Sequence, residues 1–444
     1  MKTWLPSPKR TLMLAVVGLL IGGIALGQAQ NGWDNELSQK LGVTLLQQFD
    51  SSGPAVWDVE AHPTVFITTE GPGYGGLLSG VKLPGVAIFD AVTREVVASQ
   101  AFDLGWSDVF EPHGLGVSPD GKWIYLPTGN GRSQGRFLII NALTLKVDKV
   151  LGLRGRPHHA ESFRSADGRD LVVAYGWDQP MFVMDPLDDN RVVGGTDFND
   201  QGMEGYLYFP DPSGEHIYAG GRWRNSAARS HLDSNVVMVI NTKDWSLERY
   251  IPIEDANPVW ISFSADGRYA YITGAETSTI FKYDTEAQEI VGHTRAGVEG
   301  PYGTVLNWED TELYTVGKGE SSHNRGKVLG LINTGLMEKS TRPVDQYTTN
   351  CIRGDHATLN PDPDADEIWI TCNSSFEIVV FDLDLKEVTA RIPMPHGGST
   401  HSGAFVQYQM DDMGDVVGEV LSDQDGLHGS AMQIKRAIQG LAAR

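Results

Sequence analysis

A repeating unit is the feature that most constrains the fold of this chain. Each copy reads as a strand, an Asp-Gly or similar turn, a second strand, and then a further pair of strands joined by an Asx-type turn. Repeats of 43 to 54 residues that consist of short strands are typical of four-stranded β-propeller blades. The copies begin near Glu111, Pro157, Glu204, Asn257, Gly300 and Gly354.

A seventh blade can be assembled from the two ends of the chain. The strand HSGAFVQY near the C-terminus and the strands between Ala55 and Gln100 would share one sheet, which removes the free sheet edge. We therefore predict an all-β, seven-bladed β-propeller over residues 54–422, with eight blades as the alternative. An N-terminal arm, 30–53, precedes it. A C-terminal helical tail, 423–444, follows, with a short helix packed on the outside of the ring.

The first residues have the pattern of an export signal. Lys2, Lys9 and Arg10 precede an apolar run from Leu12 to Leu26, and small residues follow. We predict a signal peptide over residues 1–29 and a periplasmic protein with no membrane span after cleavage. An uncleaved membrane anchor is the alternative interpretation.

Charge and cysteine content narrow the class of protein further. The formal net charge of −22 argues against nucleic acid as a partner, because such a partner requires a basic face. Cys351 and Cys372 flank one strand-rich segment. In an oxidising compartment a disulfide between them is favoured over a metal site, since neither lies in a C-x-x-C pair.

Histidines recur where the repeats begin. The innermost strand of each blade lines the central channel, so residues at the starts of these strands converge. Histidine stands at four of the seven positions, although the chain has only 12 histidines. Several imidazoles with few carboxylates favour copper over calcium or magnesium. A single such histidine more often caps a strand. The positions are His113, His158 or His159, the step from Glu204 to Tyr206, Trp260, Tyr302, His356 and His401.

Residues outside this set could complete a site. His323 follows a strand, and Asp233 lies just past the second strand of a repeat. Glu204 could act as a general acid or base where water is partly excluded. Lys82 could hold an anionic substrate, or it could be a solvated loop lysine. The absence of a C-x-x-C-H sequence excludes covalently attached c-type haem.

The segments GKGESSHN, GDHATLNP and GGSTHSGAF, together with the signal peptide and the seven-bladed ring, resemble the thiocyanate dehydrogenase family. These periplasmic copper propeller enzymes are themselves similar to the propeller domain of nitrous oxide reductase. The resemblance covers the chain from about Trp57 to Tyr408.

This resemblance implies a trinuclear copper centre that oxidises thiocyanate with water to cyanate and sulfur. Two electrons would pass to a periplasmic acceptor such as a cytochrome c, and the substrate would be a small anion. Lys82 and Glu204 match the active-site lysine and glutamate of the family, and Glu204 would accept the proton. The implied copper ligands are His113, His158 or His159, Asp233, His323, His356 and His401.

Other functions remain open from the sequence. One is a copper propeller like nitrous oxide reductase that acts on another small substrate. Another is a metal-free propeller of the YVTN type that serves as a binding module, and a third is a calcium-dependent lactonase. The sequence leaves open the number of coppers, the substrate and whether the chain forms a homodimer.

Overall fold

The computed structural model describes residues 33, 35–70, 83–104, 112–128, 135–177, 179–198, 203–223, 235–253, 256–319, 326–338, 344–395 and 398–442. The predicted signal peptide lies outside these residues. Within them, no helix has the length and apolar character needed to cross a membrane.

The described residues form 31 strands and two α-helices. The helices are α1 (Glu36–Lys40) and α2 (Gly429–Ile438). The strands are β1 (Val43–Gln48), β2 (Thr64–Glu70), β3 (Pro84–Asp90), β4 (Val96–Ala101), β5 (Gly116–Val117), β6 (Trp123–Thr128), β7 (Arg136–Asn141), β8 (Val147–Leu153), β9 (Arg156–Arg164), β10 (Asp170–Trp177), β11 (Gln179–Asp185), β12 (Arg191–Thr196), β13 (Met203–Pro210), β14 (His216–Trp223), β15 (Asn235–Asn241), β16 (Leu247–Pro252), β17 (Pro258–Phe263), β18 (Tyr269–Gly274), β19 (Thr279–Asp284), β20 (Glu289–Arg295), β21 (Pro301–Leu306), β22 (Glu312–Gly317), β23 (Val328–Asn333), β24 (Asp345–Thr348), β25 (Gly354–Leu359), β26 (Glu367–Cys372), β27 (Glu377–Asp382), β28 (Glu387–Pro393), β29 (Thr400–Met410), β30 (Val416–Asp423) and β31 (Gly426–Leu427).

The strands form seven sheets, which confirms the predicted seven-bladed propeller. Blade 1 is β5–β8, and blades 2 to 6 are β9–β12, β13–β16, β17–β20, β21–β24 and β25–β28. Blade 7 closes the ring as predicted, because β29 near the C-terminus pairs with β2 near the N-terminus. The first strands of neighbouring blades contact one another around the channel. We call the channel end where these innermost strands begin the upper mouth, and the opposite end the lower mouth.

The turn between the third and fourth strands of a blade has a recurring local cause. In blade 4 the carboxylate of Asp284 accepts hydrogen bonds from the backbone N–H groups of Glu286 and Ala287, at 3.0 and 2.9 Å. Gln288 then adopts a φ of 58°, the left-handed conformation that closes such a turn. Asp90, Asn141 and Asp382 make equivalent bonds, so one sequence signal sets the same hairpin in several blades.

Cys351 and Cys372 form a disulfide, as predicted. Their Cα atoms are 5.2 Å apart, within the usual range for this bond. The bond ties the segment before β25 to the end of β26, at the upper mouth of blade 6.

Both ends of the chain extend the sheets. In the N-terminal arm, β1 pairs with β8 and adds a fifth strand to the outer edge of blade 1. The predicted arm therefore belongs to the propeller. At the other end, β30 and β31 pair on the inner side of β29 and so lie in the channel.

Helix α2 lies across the lower mouth, and the prediction that it packs on the outside of the ring is wrong. The Nζ atom of Lys435 donates to the carbonyl of Asn307 at 2.8 Å, and Nη1 of Arg436 donates to the carbonyl of Ala265 at 2.6 Å. The apolar spacing of the helix shows that one face is buried but not which surface covers it.

Candidate metal site at the upper mouth

Six of the seven innermost strands, those of blades 2 to 7, have a register shift typical of a β-bulge near their start. In β9, His159 pairs with Tyr175 and Pro157 pairs with Gly176, so His158 is the extra residue. In blade 6, Gly354 pairs with Cys372 and Ala357 with Ile370, so two residues oppose one. A bulge re-aims side chains that would otherwise alternate between the faces of a sheet. Register shifts at the same place occur in blades 3, 4, 5 and 7.

Six ligand-type side chains from blades 1, 2, 6 and 7 meet on one side of the channel. The ring centroid of His113 lies 3.9 Å from that of His158, 4.8 Å from His159, 4.1 Å from His401 and 5.9 Å from His356. Two groups in this set each place their ligand atoms within 4.8 Å of one another. The whole set, which we call the histidine arc, is His113, His158, His159, Asp355, His356 and His401.

Asp355 organises one side of the histidine arc. Its carboxylate lies 2.6 Å from Nδ1 of His401 and 2.9 Å from Nζ of Lys318, and its side chain is fully buried. Burial alone would raise the pKa of Asp355, but the Lys318 ammonium and the two neighbouring imidazoles lower it well below its usual value. The carboxylate is therefore charged and fixes which nitrogen of His401 faces the channel.

Four of the five imidazoles have a lowered pKa, which favours their neutral form. Burial lowers the pKa of His113, His158 and His159 well below the usual value, and nearby imidazoles and Lys318 lower it further. Burial also lowers the pKa of His356. A neutral imidazole has a lone pair that a metal ion can bind without displacing a proton.

Some ring nitrogens of the histidine arc lie close to another ring nitrogen, and one has no hydrogen-bond partner among the described residues. Nδ1 of His113 and Nε2 of His159 are 2.7 Å apart, and Nδ1 of His159 faces Oε1 of Glu161 at 3.3 Å. Nε2 of His356 is buried and has no hydrogen-bond partner among the described residues. Buried polar atoms normally have partners, so this nitrogen is available to a bound ion.

Aromatic residues occupy the equivalent strand starts of blades 3, 4 and 5. The rings of Trp260 and Tyr302 lie 4.9 and 5.5 Å from that of His356, and Tyr206 lies 4.9 Å from His158. The hydroxyls of Tyr206 and Tyr302 are 2.9 Å apart. We call these three residues the aromatic arc. Its rings lie against those of the histidine arc in the channel.

Close packing around the site requires glycine at one position. A Cβ atom added at Gly114 would clash with the His159 ring. The backbone N–H of Gly114 also donates to the carbonyl of His158 at 2.9 Å. The glycine that follows His113 in the sequence therefore lets blades 1 and 2 approach closely enough for their histidines to meet.

The structure brings together the five histidines that were predicted from the start of innermost strands. Both His158 and His159 face the site, because of the bulge. Glu204 is buried between blades 2 and 3, in a small cavity lined by Gln179, Pro180 and Phe198. The prediction that it acts as an acid or base stays a prediction.

The predicted residues Lys82, Asp233 and His323 lie outside the described residues. The described strands on either side of them do end at the upper mouth. Glu70 pairs with Pro84, Arg222 with Asn235, and Arg222 also with Glu204 at the start of β13. At these points the described structure ends and resumes at the upper mouth.

Sequence reasoning missed Asp355 and Lys318. Asp355 directly precedes His356 in GDHATLNP, but strand alternation would place two consecutive residues on opposite faces. Lys318 lies in GKGESSHN and reaches across from blade 5 to blade 6. Its Nζ atom also lies 4.0 Å from the centre of the Tyr302 ring. A lysine between two glycines, five residues before the predicted ligand His323, was the available signal.

Comparison with known proteins identifies the fold. No protein-family model matches the chain, and no curated protein is significantly similar to it. Solved structures do resemble it. The periplasmic gluconolactonase PpgL of Pseudomonas aeruginosa is 15% identical with a TM-score of 0.54, over 77% of this chain and 98% of that one.

Two further structures give the same result. Hydrazine synthase of Kuenenia stuttgartiensis is 14% identical with a TM-score of 0.53, over 76% of this chain and 98% of that one. The dihydro-heme d1 dehydrogenase NirN is 13% identical with a TM-score of 0.51, over 88% and 81%. The chain has the fold of a β-propeller protein. Identities this low show the fold alone, and one fold hosts many functions.

Proposed function

We propose that this chain is a copper-dependent oxidoreductase that acts on a small anion, with thiocyanate as the first candidate. The observation that carries the proposal is the convergence of five buried histidines, from four blades, on one side of the channel. A metal-free binding module would give no reason for imidazoles from distant parts of the chain to meet.

The donor set fits copper. Neutral imidazoles are borderline ligands that suit copper, whereas calcium and magnesium require mainly oxygen ligands. The partnerless Nε2 of His356 and the paired nitrogens of His113 and His159 could each turn to a bound ion. His113, His158, His159, His356 and His401 would hold the copper, with Asp355 either as a further ligand or as the residue that orients His401.

Bound copper would supply the redox chemistry, and the chain's own residues have separate roles. The Lys318 ammonium lies beside Asp355 at the edge of the site, where its positive charge can attract an anion. The aromatic arc packs against His158 and His356 and would limit the size of a bound substrate. If thiocyanate is the substrate, thiocyanate and one water give cyanate, sulfur, two protons and two electrons, and an acceptor such as a cytochrome c takes the electrons.

Metal content tests the proposal most directly. Wild-type protein is stripped with EDTA, loaded with copper, freed of excess metal and measured by mass spectrometry. We expect copper in the wild-type protein and a loss of at least about tenfold in copper affinity in His356→Ala, because one ligand and its share of the binding energy are removed. His216→Ala is the matched control. His216 lies on blade 3, where it pairs with Asp211 and Glu248 away from the histidine arc.

The activity assay follows on the same proteins. The copper-loaded wild type should form cyanate from thiocyanate with a dye or cytochrome c as acceptor, and His356→Ala should not. Wild-type protein that takes up no copper, or a His356→Ala variant that binds it equally well, would contradict the proposal. Copper binding without cyanate formation would retain the copper site and exclude thiocyanate as substrate.

A further inference from the structure

A second group of ligand-type side chains lies in the channel below the histidine arc. It consists of Glu161 on β9 and of Asp423 and Asp425, which flank the turn between β30 and β31. One carboxylate oxygen from each lies within 4.8 Å of the others. All the ligand-type atoms here are oxygens, whereas those of the histidine arc are mainly nitrogens.

The inner strands β30 and β31 create this group. Because they pair on the channel side of β29, their connecting turn reaches across to β9 of blade 2. Glu161 is fully buried there, and its Oε1 atom accepts a hydrogen bond from the Tyr175 hydroxyl at 3.0 Å. The carboxylates of Asp423 and Asp425, near the C-terminus, thereby lie close to the carboxylate of Glu161 in blade 2.

Several oxygens of the group have no partner. Oε2 of Glu161 and both carboxylate oxygens of Asp425 are buried and make no hydrogen bond to any described residue. The described positive partner is His428, whose Nε2 atom lies 2.8 Å from Asp423. A cation bound here would give the partnerless carboxylate oxygens the contacts that buried polar atoms normally have.

A neutral side chain gives an independent indication of a ligand. Gln424 lies between the two aspartates, is 2% exposed and donates from Nε2 to Oε1 of Glu161. Its amide oxygen, Oε1, is buried and has no partner among the described residues. An amide carbonyl at full burial normally has a hydrogen bond or an ion, and amide oxygens are common ligands of calcium.

We propose that Glu161, Asp423, Gln424 and Asp425 form a calcium site that fastens the C-terminal hairpin inside the channel. Calcium binds six to eight oxygens at about 2.3–2.6 Å, so oxygens up to 4.8 Å apart can share one ion. Magnesium, with about 2.0–2.1 Å bonds, needs a tighter group. A cavity of about 890 Å³ at the lower mouth, lined in part by Asp425 and His428, gives the ion a path from solvent.

Equilibrium dialysis of the full chain with calcium tests this site. After treatment with EGTA, the wild type should bind about one calcium ion per chain, and calcium should raise its Tm. Asp425→Asn should weaken calcium binding about tenfold or more, because the charge of the ligand set controls affinity. Asp364→Asn is the matched control, since it makes the same change on an exposed turn of blade 6.

Two further experiments show whether the calcium site is independent of the copper site, and whether a loss of calcium binding reflects misfolding of a variant. His356→Ala should bind calcium as the wild type does, whether or not copper binds elsewhere. In the wild type, Tyr175 should sensitise the emission of terbium bound at this site, and added calcium should displace the terbium. This measurement uses no variant and so does not depend on the folding of one. Wild-type protein that binds no calcium, or binds magnesium or copper here instead, overturns the proposal. So does an Asp425→Asn variant with wild-type calcium affinity.

Discussion

The ring around the upper mouth divides into two arcs that use one backbone device for different purposes. Blades 6, 7, 1 and 2 are consecutive around the ring and carry the histidine arc, and blades 3, 4 and 5 carry Tyr206, Trp260 and Tyr302. Bulges occur at the same strand position in both halves. The backbone therefore presents side chains to the channel in both arcs, and the arcs differ in which residue types occupy these positions.

If copper binds to the histidine arc as proposed, it lies off the channel axis, toward blades 1, 2, 6 and 7. The imidazoles lie against the wall of blades 1, 2, 6 and 7, while the aromatic rings fill the space opposite. Trp260 is fully buried and packs on Phe209 and Tyr302, with ring centroids 5.0 and 5.6 Å away. Trp260 and Tyr302 thus pack as a wall on the side of the channel opposite the histidines. Blades 4 and 5 therefore contribute packing residues, and no histidine, at these positions.

Replacing Trp260 by alanine should remove the packing role of the aromatic arc, and we expect this change to have the largest effect on stability. Removal of a fully buried indole leaves a cavity, which costs about 3–5 kcal/mol. We expect the free energy of unfolding in urea to fall by that amount. His356→Ala should cost less, because it also removes a buried nitrogen without a partner.

Trp260→Phe is the control for this prediction, since it keeps an aromatic ring against His356. It should lose less stability than Trp260→Ala and still bind copper. If Trp260→Ala were as stable as His356→Ala, the aromatic arc would not have the structural role that we assign to it.

The sequence predicted the architecture well because the repeat is visible in the turns, in the length of the unit and in the order of the strands. The Asx turns, the length of the unit and the pairing of the two chain ends all pointed to seven blades. The convergence of His113, His356 and His401 followed from the same repeat, since equivalent positions of a propeller must meet at the channel.

The bulges could not be read from the sequence. Strand alternation forces a choice between His158 and His159, and between Asp355 and His356, whereas a single extra residue lets both members of each pair face the site. The position of β30 was hidden for another reason. VVGEVL reads as an ordinary strand, and whether it adds to the outer or inner edge of a sheet depends on distant partners such as Glu161.

Asp355 allows a test of how the histidine arc is oriented. Asp355→Asn removes the charge that pairs with Lys318 and with Nδ1 of His401. Loss of such an orienting carboxylate costs about 10–100-fold in metal affinity. We expect that loss in competition titrations of copper against a chromogenic chelator, with Asp364→Asn unchanged. An affinity equal to that of the wild type would show that His401 needs no orientation by Asp355.

The smallest effect concerns the hydrogen bond within the aromatic arc. Tyr302→Phe keeps the ring under the Lys318 ammonium but removes the bond between the Tyr302 and Tyr206 hydroxyls. A single hydrogen bond contributes about 0.5–1.5 kcal/mol. We expect that decrease in the free energy of unfolding, and a similar one for Tyr206→Phe.

The double variant decides whether the two hydroxyls act only through each other. If they do, Tyr206→Phe with Tyr302→Phe is no less stable than either single variant, because the same bond is lost in all three. Additive losses in the double variant would mean that at least one hydroxyl stabilises the mouth through a separate partner. Copper affinity should stay at the wild-type value in all three variants, since neither hydroxyl belongs to the histidine arc. A loss of copper would extend the metal site into the aromatic arc.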